Sequence, residues 1–500
     1  MIRIPLRLLR ITGLAVLLLP ELFFLLTWVR PVFSLPSCLA LAVAFILYAK
    51  KDHKKTHLSE DCSEFSFYTL AACLCCALLW TFFSGIGGFF YQNEDFYGRN
   101  AIFHDLLNYA WPVCFPETNY ALTYYIGFWI LPALLGKLTA FLFGAELLWA
   151  SANAFLFAET VWFLFLVFLL FLSLLKIRTA GKACLMLLLF VMFSGMDGLG
   201  AYLVHWDWNQ QIEWWAQLWQ FSSNTTCLFW VFNQAVPAWL ATLVLMSDLT
   251  DLGSYALIGL SMLLYSPLPL TGFVFLCFCL FLVRLVREKK LMKTVREAFS
   301  VRNLLSLLGA LPILLYLASN ASSSRRGFRF DLYLRTFSLS QALLRLLIFS
   351  FVEWLLYWLL VLPRFRKEPL FWIVGLSLFL APMFKVGYNM DFSMRASIPG
   401  LMILFIYCAR FVEDALGQHR LRPTSAVLLA LLLVGFQTPL QEFERGTYRV
   451  MKAGTNRIFS DPFGTVLHPD ADTHNFICLN TEQSFFYRHI ASGSPTETGR

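Results

Sequence analysis

The sequence predicts an all-α polytopic membrane protein, and three features carry that expectation. Hydrophobic residues make up 58% of the chain, and Phe alone accounts for 51 of its 500 residues. Only 14% of residues are charged, and the mean hydropathy is +0.64. Apolar runs long enough to cross a bilayer recur along the chain; in lipid such runs must be helical, because a helix satisfies its own backbone hydrogen bonds. The formal charge of +8 calls for no nucleic-acid partner, since cytoplasmic loops of membrane proteins are enriched in Lys and Arg.

The first element is MIRIPLRLLRITGLAVLLLPELFFLLTWV, basic at its start and then apolar. It is too long for the hydrophobic region of a signal peptide and no small-residue cleavage site follows, so it reads as an uncleaved span over 11–29. Further spans are expected at 33–49, 67–84, 147–175, 183–203, 228–246, 304–318, 339–362, 370–387, 396–412 and 425–440. Segments 254–265 and 270–283 are short and parted by YSPLPL. They form either two half-length helices or one span, the latter with a re-entrant hairpin at NQAVP before it. The run at 122–143, broken by Pro132 and carrying Lys137, reads as a helix at, or dipping into, the outer interface; as a span it would put KIRTAGK outside. The bundle is therefore expected to hold about 11–13 transmembrane helices.

With that assignment the positive charges sort to one side. Arg3/Arg7/Arg10, KKDHKK (50–55), KIRTAGK (176–182), RLVREKKLMKTVR (284–296), RFRK (364–367) and the 410–424 loop all fall on the face taken as cytoplasmic. This gives a cytoplasmic N-terminus, an extracytoplasmic C-terminus and a place in a plasma (inner) membrane. Residues 1–66 are two N-terminal spans with a basic inner loop, 67–440 the transmembrane core with outer loop 85–121, and 441–500 a small extracytoplasmic tail. The chemically varied loops, 85–121, 204–226, 319–338 and 388–395, share the outer face. No internal repeat is visible, and the 12 cysteines, mostly inside apolar segments, show no metal-ligand spacing.

The first outer loop, YQNEDFYGRNAIFHDLLNYAWPV (91–113), gathers Glu94, Asp95, Arg99, His104 and Asp105 just after the flexible SGIGG. Neighbouring carboxylates raise one another's pKa, so Asp95 with Glu94 is the candidate proton acceptor. Arg99, His104 and Asp105 are spaced for a short helix along the membrane surface; equally, Asp95 and Arg99 form an ordinary i,i+4 pair. In YNMDFSMRASIPGL (388–401), Asp391 and Arg395 flank the start of a span, with Lys385 near the end of the previous one. A helix N-terminus with Arg395 makes a phosphate site, or Asp391–Arg395 holds a tight turn. RRGFRF (325–330) sets Arg325, Arg326 and Arg329 among aromatics, suited to phosphate or to anionic lipid headgroups.

Three further features carry weaker signals. HWDWNQQIEWWAQLW (205–219) offers Trp faces for sugars, with the plain interfacial role favoured. Glu21, Glu159 and Glu353 lie inside expected spans, where acids mark a proton pathway or sit protonated between helices. HPDADTH (468–474) alternates His468, Asp470, Asp472 and His474, but an extended loop does not converge them on a metal.

An acidic pair in the first large outer loop, a surface helix, and then TYYIGFWILPALLGKL before the next span resemble the GT-C glycosyltransferases. These are multi-span enzymes that take sugars from polyprenyl-phosphate carriers on the outer side of the membrane. In the protein mannosyltransferase and lipid A aminoarabinose transferase branches, an Asp-Glu pair precedes a juxtamembrane helix and a PPLYYWL-like segment. Here the order is Glu-Asp, TYYIGFWILP stands second, and two extra spans precede the loop. NQAVPAWLATLVL (233–245), which holds Gln234, and YNMDFSMRASIPGL resemble bacterial members of the superfamily.

The resemblance covers most of 67–440 and implies a GT-C-like bundle with outer-face juxtamembrane helices. It implies that Asp95, assisted by Glu94, deprotonates an acceptor hydroxyl. Arg395, Lys385 or the Arg325/Arg326/Arg329 cluster would hold the leaving polyprenyl phosphate, with Arg99, His104, Asp105, Asp391 and Gln234 in the substrate site. The implied partners are a polyprenyl-phosphate-linked sugar donor, a glycan, lipid or protein acceptor, and the bilayer. No cofactor is certain, although some relatives use a divalent cation. Two other classes stand beside this one: a lipid or solute transporter working through Glu21, Glu159 and Glu353, and a non-catalytic scaffold for envelope assembly.

Overall fold

The computed structural model describes residues 1–55, 62–115, 117–208, 210–288, 291–320, 326–328, 337–386, 390–417, 423–453, 464–469 and 473–493. The first half of the chain forms helices α1 (Leu6–Trp28), α2 (Pro31–Lys55), α3 (Phe67–Phe83), α4 (Asp95–Asn108), α5 (Gly127–Phe143), α6 (Leu148–Leu174), α7 (Ala180–Val191), α8 (Asp197–Leu203) and α9 (Asn224–Ser247). Then follow α10 (Tyr255–Leu260), α11 (Pro267–Glu288), α12 (Leu291–Ala298), α13 (Val301–Ala318), α14 (Leu339–Phe365), α15 (Pro369–Leu380), α16 (Asp391–Ala396), α17 (Ile398–Gly417), α18 (Pro423–Gly435) and α19 (Gln437–Ala453). Eight segments, containing α1, α2, α6, α9, α11, α13, α14 and α18, are long and apolar enough to cross a membrane; α3, α5, α7 and α15 are shorter apolar helices. The protein is an all-α polytopic membrane protein, as its composition predicts.

Ion pairs mark one end of the bundle. Arg302 grips Asp251 through two hydrogen bonds of 2.7 and 2.8 Å, and Lys51 pairs with the same carboxylate. Lys182 meets Glu413 at 2.7 Å and Arg364 meets Asp414 at 3.2 Å. At this basic end a two-stranded ribbon also pairs β1 (Ile2–Pro5) with β2 (Cys62–Phe65). The opposite end collects, of the described residues, 84–115, 117–126, 193–208, 210–223, 381–386, 390–397, 437–453, 464–469 and 473–491. There β3 (Cys114–Phe115), β4 (Tyr120–Leu122) and β7 (Ile477–Cys478) form an antiparallel sheet, so the C-terminal tail docks on the first large loop. The other small ribbon pairs β5 (Arg326–Phe328) with β6 (Phe384–Val386). Helix α9 runs through the centre, with 94% of its apolar window buried.

Three segments differ from the simple reading of hydropathy. The expected span at 183–203 is two pieces: α7 stops at Val191, and α8 starts at the buried Asp197. The run at 122–143 enters as strand β4 and becomes α5, antiparallel to α6. Phe128 packs on Phe163 at one end of the pair, and at the other a Cβ on Gly136 would lie 2.6 Å from that of Ala152. Gly127 N–H reaches Leu264 O deep in the bundle, while Lys137 donates to Tyr109 O in the 85–121 loop. The helix thus starts among the bundle helices and ends beside the 85–121 loop. The YSPLPL region resolves into the short α10 and the full-length α11, while α9 stays one helix kinked at Val231.

The Asp251 cluster generates a stability prediction. Burial works against the Asp251 carboxylate, but Arg302 and Lys51 hold it well below the usual carboxylate range. A depressed folded pKa contributes stability above the ordinary Asp range, and that stability is lost as pH falls through the folded value. Asp251→Ala leaves Arg302, 9% exposed, without its counter-charge. Thermal unfolding in detergent at neutral pH should show a loss of about 3–5 kcal/mol. Acidification should shrink the gap between variant and wild type.

Candidate functional site

The site is built where α3 gives way to α4. SGIGG is a tight turn: Gly85, Gly87 and Gly88 all have positive φ, and a Cβ on Gly85 would lie 2.2 Å from Tyr91 O. Gln92 Nε2 closes the turn by donating to Gly85 O at 3.0 Å. Asn93 then does two things. Its Nδ2 donates to Phe229 O of α9 at 2.8 Å, and its Oδ1 accepts the Asp95 N–H at 3.1 Å. It satisfies an orphan N–H at the start of α4 and ties that start to α9.

Asp95, in the first turn of α4, pairs through Oδ2 with Arg99 Nη2 at 2.8 Å. The Asp95 side chain is 44% exposed, whereas that of Arg99 is 9% exposed. The Arg99 guanidinium lies 5.4 Å from the Phe96 ring centre and 5.5 Å from that of Phe232. Its Nη1 is buried without a hydrogen-bond partner. From the other side come Asp391 and Arg395 of α16, ion-paired to one another, with Arg395 Nε also buried and unpartnered. Between the two cations stand Tyr124 and Tyr125, ring centres 3.6 Å apart. Gln234 of α9 donates to the Tyr125 hydroxyl at 3.2 Å and accepts from Ser266 Oγ at 2.8 Å. Phe476 of the tail closes one wall, edge-on to Tyr124 at 5.1 Å and against Gly98.

The electrostatics of this cluster are set by burial and by the two ion pairs. Burial pulls the Arg99 cation down, Asp95 supports it, and Arg395 repels it. Burial also opposes the Arg395 charge, but Asp391 and the two tyrosines hold it above its ordinary value. Each guanidinium already spends one carboxylate, so the pair is neutralised overall while two N–H groups stay unsatisfied. An anion between them would relieve the repulsion and fill both donors.

Asp95, Arg99, Gln234, Asp391 and Arg395 are thus brought together; the other expected site residues are not. Glu94 is exposed at the N-cap position of α4, with no side-chain capping bond. His104 packs beside Trp149. Asp105, fully buried, accepts the Val466 N–H at 2.9 Å and the Thr465 hydroxyl at 3.2 Å, so it anchors the tail. Lys385 and Arg326 belong to the β5–β6 ribbon, while Arg325 and Arg329 lie outside the described residues. Trp215 and Trp219 turn inward, donating to Glu353 Oε1 and Pro382 O at 2.8 and 3.1 Å, so the Trp-rich loop is partly core; Trp208 and Trp214 stay exposed. Asp470 and Asp472 lie outside the described residues, and among those described no group of three His, Cys, Asp or Glu side chains forms a metal site. Asn93, Tyr124, Tyr125 and Ser266 were not singled out from the sequence. The adjacent tyrosines are its one visible signal.

Comparison of the chain with known protein families, with curated proteins and with solved structures finds no match.

Because Asp105 holds the tail rather than the site, Asp105→Ala should cost about 1–3 kcal/mol by leaving the Val466 N–H unpaired in the interior. Limited proteolysis of the purified protein checks this: residues 464–493 should be cut faster than in wild type, with the transmembrane core left intact.

Proposed function

We propose that this chain is an integral-membrane glycosyltransferase of GT-C type, moving a sugar from a polyprenyl-phosphate carrier to an envelope acceptor. The observation that carries this reading is the pair of buried guanidiniums, each with an unfilled N–H, beside an exposed carboxylate. Arg99 takes one oxygen of Asp95; among the described residues Oδ1 has no hydrogen bond and is free to meet an acceptor hydroxyl. In the reaction the acceptor oxygen attacks the anomeric carbon and its proton passes to Asp95. The bond from that carbon to the phosphate oxygen breaks, its electron pair leaving with the phosphate. Arg99 Nη1 and Arg395 Nε then serve the charge that develops there. Tyr124, Tyr125 and Gln234 supply the polar wall, and the carrier's lipid chain lies along the apolar helices. The excess of Lys and Arg at the basic end supports a cytoplasmic N-terminus and, with it, a reaction on the extracytoplasmic side of a plasma membrane.

The experiment compares envelope glycans by mass spectrometry in a deletion strain complemented with wild type, Asp95→Asn or Arg395→Lys at matched protein levels. Asp95→Asn should lower product about 10²–10⁴-fold. Arg395→Lys keeps the charge but loses the fork of N–H donors, and should fall between that variant and wild type. Wild-type glycans from Asp95→Asn, together with loss from Glu159→Gln, would replace the transferase by a transporter that uses its intramembrane acids.

A further inference from the structure

Asp197, Glu213 and Glu353 are 0%, 1% and 2% exposed, and the transfer chemistry uses none of them. Asp197 opens α8, Glu353 sits in a π turn (Phe351–Leu355) in the middle of α14, and the two carboxyls are neighbours whose Asp197 Oδ1 and Glu353 Oε2 are buried without a hydrogen-bond partner. Asp197 Oδ2 also accepts from Ser194 Oγ at 2.8 Å and from Thr438 Oγ1 at 2.7 Å. Glu353 Oε1 accepts from Trp215 Nε1 at 2.8 Å. Glu213 takes Gln220 Nε2 and Ser222 Oγ on one oxygen, at 2.7 Å each, and the Ser223 N–H on the other at 2.9 Å.

The titratable groups that face the pair are Glu213 from the 205–222 loop and Tyr357 from α14. Beyond Glu213 stands Cys227 of α9, with Arg395 on its far side. Among the described residues none of the three acids forms an ion pair.

Two ionised carboxylates have no hydrogen to share, and their charges repel, so burying two such unpartnered oxygens side by side calls for a proton between them. We propose that Asp197 and Glu353 hold one proton between them, taken from water at the site end, and that this proton is the latch joining four breaks in the helical bundle. With it, the α7–α8 link, the π turn of α14, the start of α19 and the Trp-rich loop stay closed. Without it, two neighbouring like charges drive them open.

The packing is arranged for this contact. Gly195 lets the carboxyl in, because a Cβ there would lie 2.1 Å from Glu353 Oε2. Met196 N–H takes Val352 O, a carbonyl at the π turn, at 3.1 Å. The latch also reaches the candidate site. Glu213 holds the N–H of Ser223, the N-cap of α9. Farther along the same helix, Phe229 O holds Asn93, Phe232 lies beneath Arg99, and Gln234 meets Tyr125.

Burial and the neighbouring Asp197 push Glu213 up to about 8, and burial holds Asp197 above the ordinary Asp range. For an acid whose folded pKa is raised, stability falls as pH rises from the unfolded value up to the folded one, where the native group itself ionises. The inference goes beyond glycosyl transfer and is read without any activity assay, so the two can fail separately. Purified protein in detergent is followed by infrared spectroscopy and by thermal unfolding between about pH 5 and about pH 9.

Subtracting the spectrum of Glu353→Gln from wild type at pH 7 isolates the shared proton, because bands of the other acids cancel. A protonated-carboxyl band should remain in that difference, and the Tm of wild type should fall from pH 5 to pH 8. In Asp197→Asn/Glu353→Gln, where the amides supply the hydrogens permanently, that slope should be reduced to the part owed to Glu213. A wild-type protein with no protonated-carboxyl band in the difference at pH 7, or with a Tm slope that the double variant leaves unchanged, overturns the latch. Should the double variant fail to fold, the wild-type pH series decides alone, and a flat series overturns the proposal.

Discussion

A charge removed from water must be answered by a counter-charge or a proton, and most of the polar architecture here is a set of answers to that demand. At the basic end the answer is cationic: Arg302 and Lys51 converge on Asp251. At the candidate site it is local, with Asp95 set against Arg99 and Asp391 against Arg395, each four residues apart on one helix. At the acid cluster no cation enters. The carboxyls there are held by hydroxyls, a side-chain amide, an indole N–H and a backbone N–H. Each solution has a different consequence. The first is rigid and structural, and the second leaves donors unfilled. The shared proton proposed for the third ties it to rising pH, as the Asp251 pairs tie the first to falling pH.

Helix α9 is the element that makes these solutions interdependent. Its N-cap is held by Glu213, and its carbonyl at Phe229 holds Asn93. Phe232 supports the Arg99 guanidinium, and Gln234 bridges Tyr125 and Ser266. At its far end Ser247 O accepts from Arg10 at 3.3 Å. A rigid, almost wholly buried helix cannot shift at one of these points without disturbing the rest, because close-packed interiors transmit strain. This is the physical reason that groups far apart in the chain can form one site.

What the sequence made legible follows from what is local. Hydropathy marks helices because each must hide its own backbone, and i,i+4 spacing placed Asp95 with Arg99 and Asp391 with Arg395. That the two pairs meet is not written in any period. It depends on α4 and α16 reaching the same place through α9 and the 122–126 segment. Asp105 illustrates the reverse case. Its type and position suited a site, but its partners are Thr465 and Val466, from a tail whose docking no local pattern announces. The Trp-rich loop misleads for a related reason, since indole is equally at home at an interface or in a core. The neighbours of Trp215 and Trp219 are drawn from α14 and from the segment after α15.

The broken helices give this arrangement its functional direction. Interrupting a helix within a membrane exposes carbonyls and N–H groups that lipid cannot satisfy, so breaks persist only where protein or water supplies partners. Here they gather at the site end and are answered one by one. The carbonyls of Phe190, Val191 and Phe193, left where α7 stops, are taken by Asn224 Nδ2, Thr225 Oγ1 and the Asn224 N–H, at 2.8, 2.7 and 3.0 Å. Leu264 O, in the turn between α10 and α11, takes the Gly127 N–H at 3.0 Å. No such investment appears along α6, which runs 27 residues without interruption. Arg99 Nη1 and Arg395 Nε are among the buried donors left unfilled, and they differ from these backbone groups in belonging to two cations that neighbour one another.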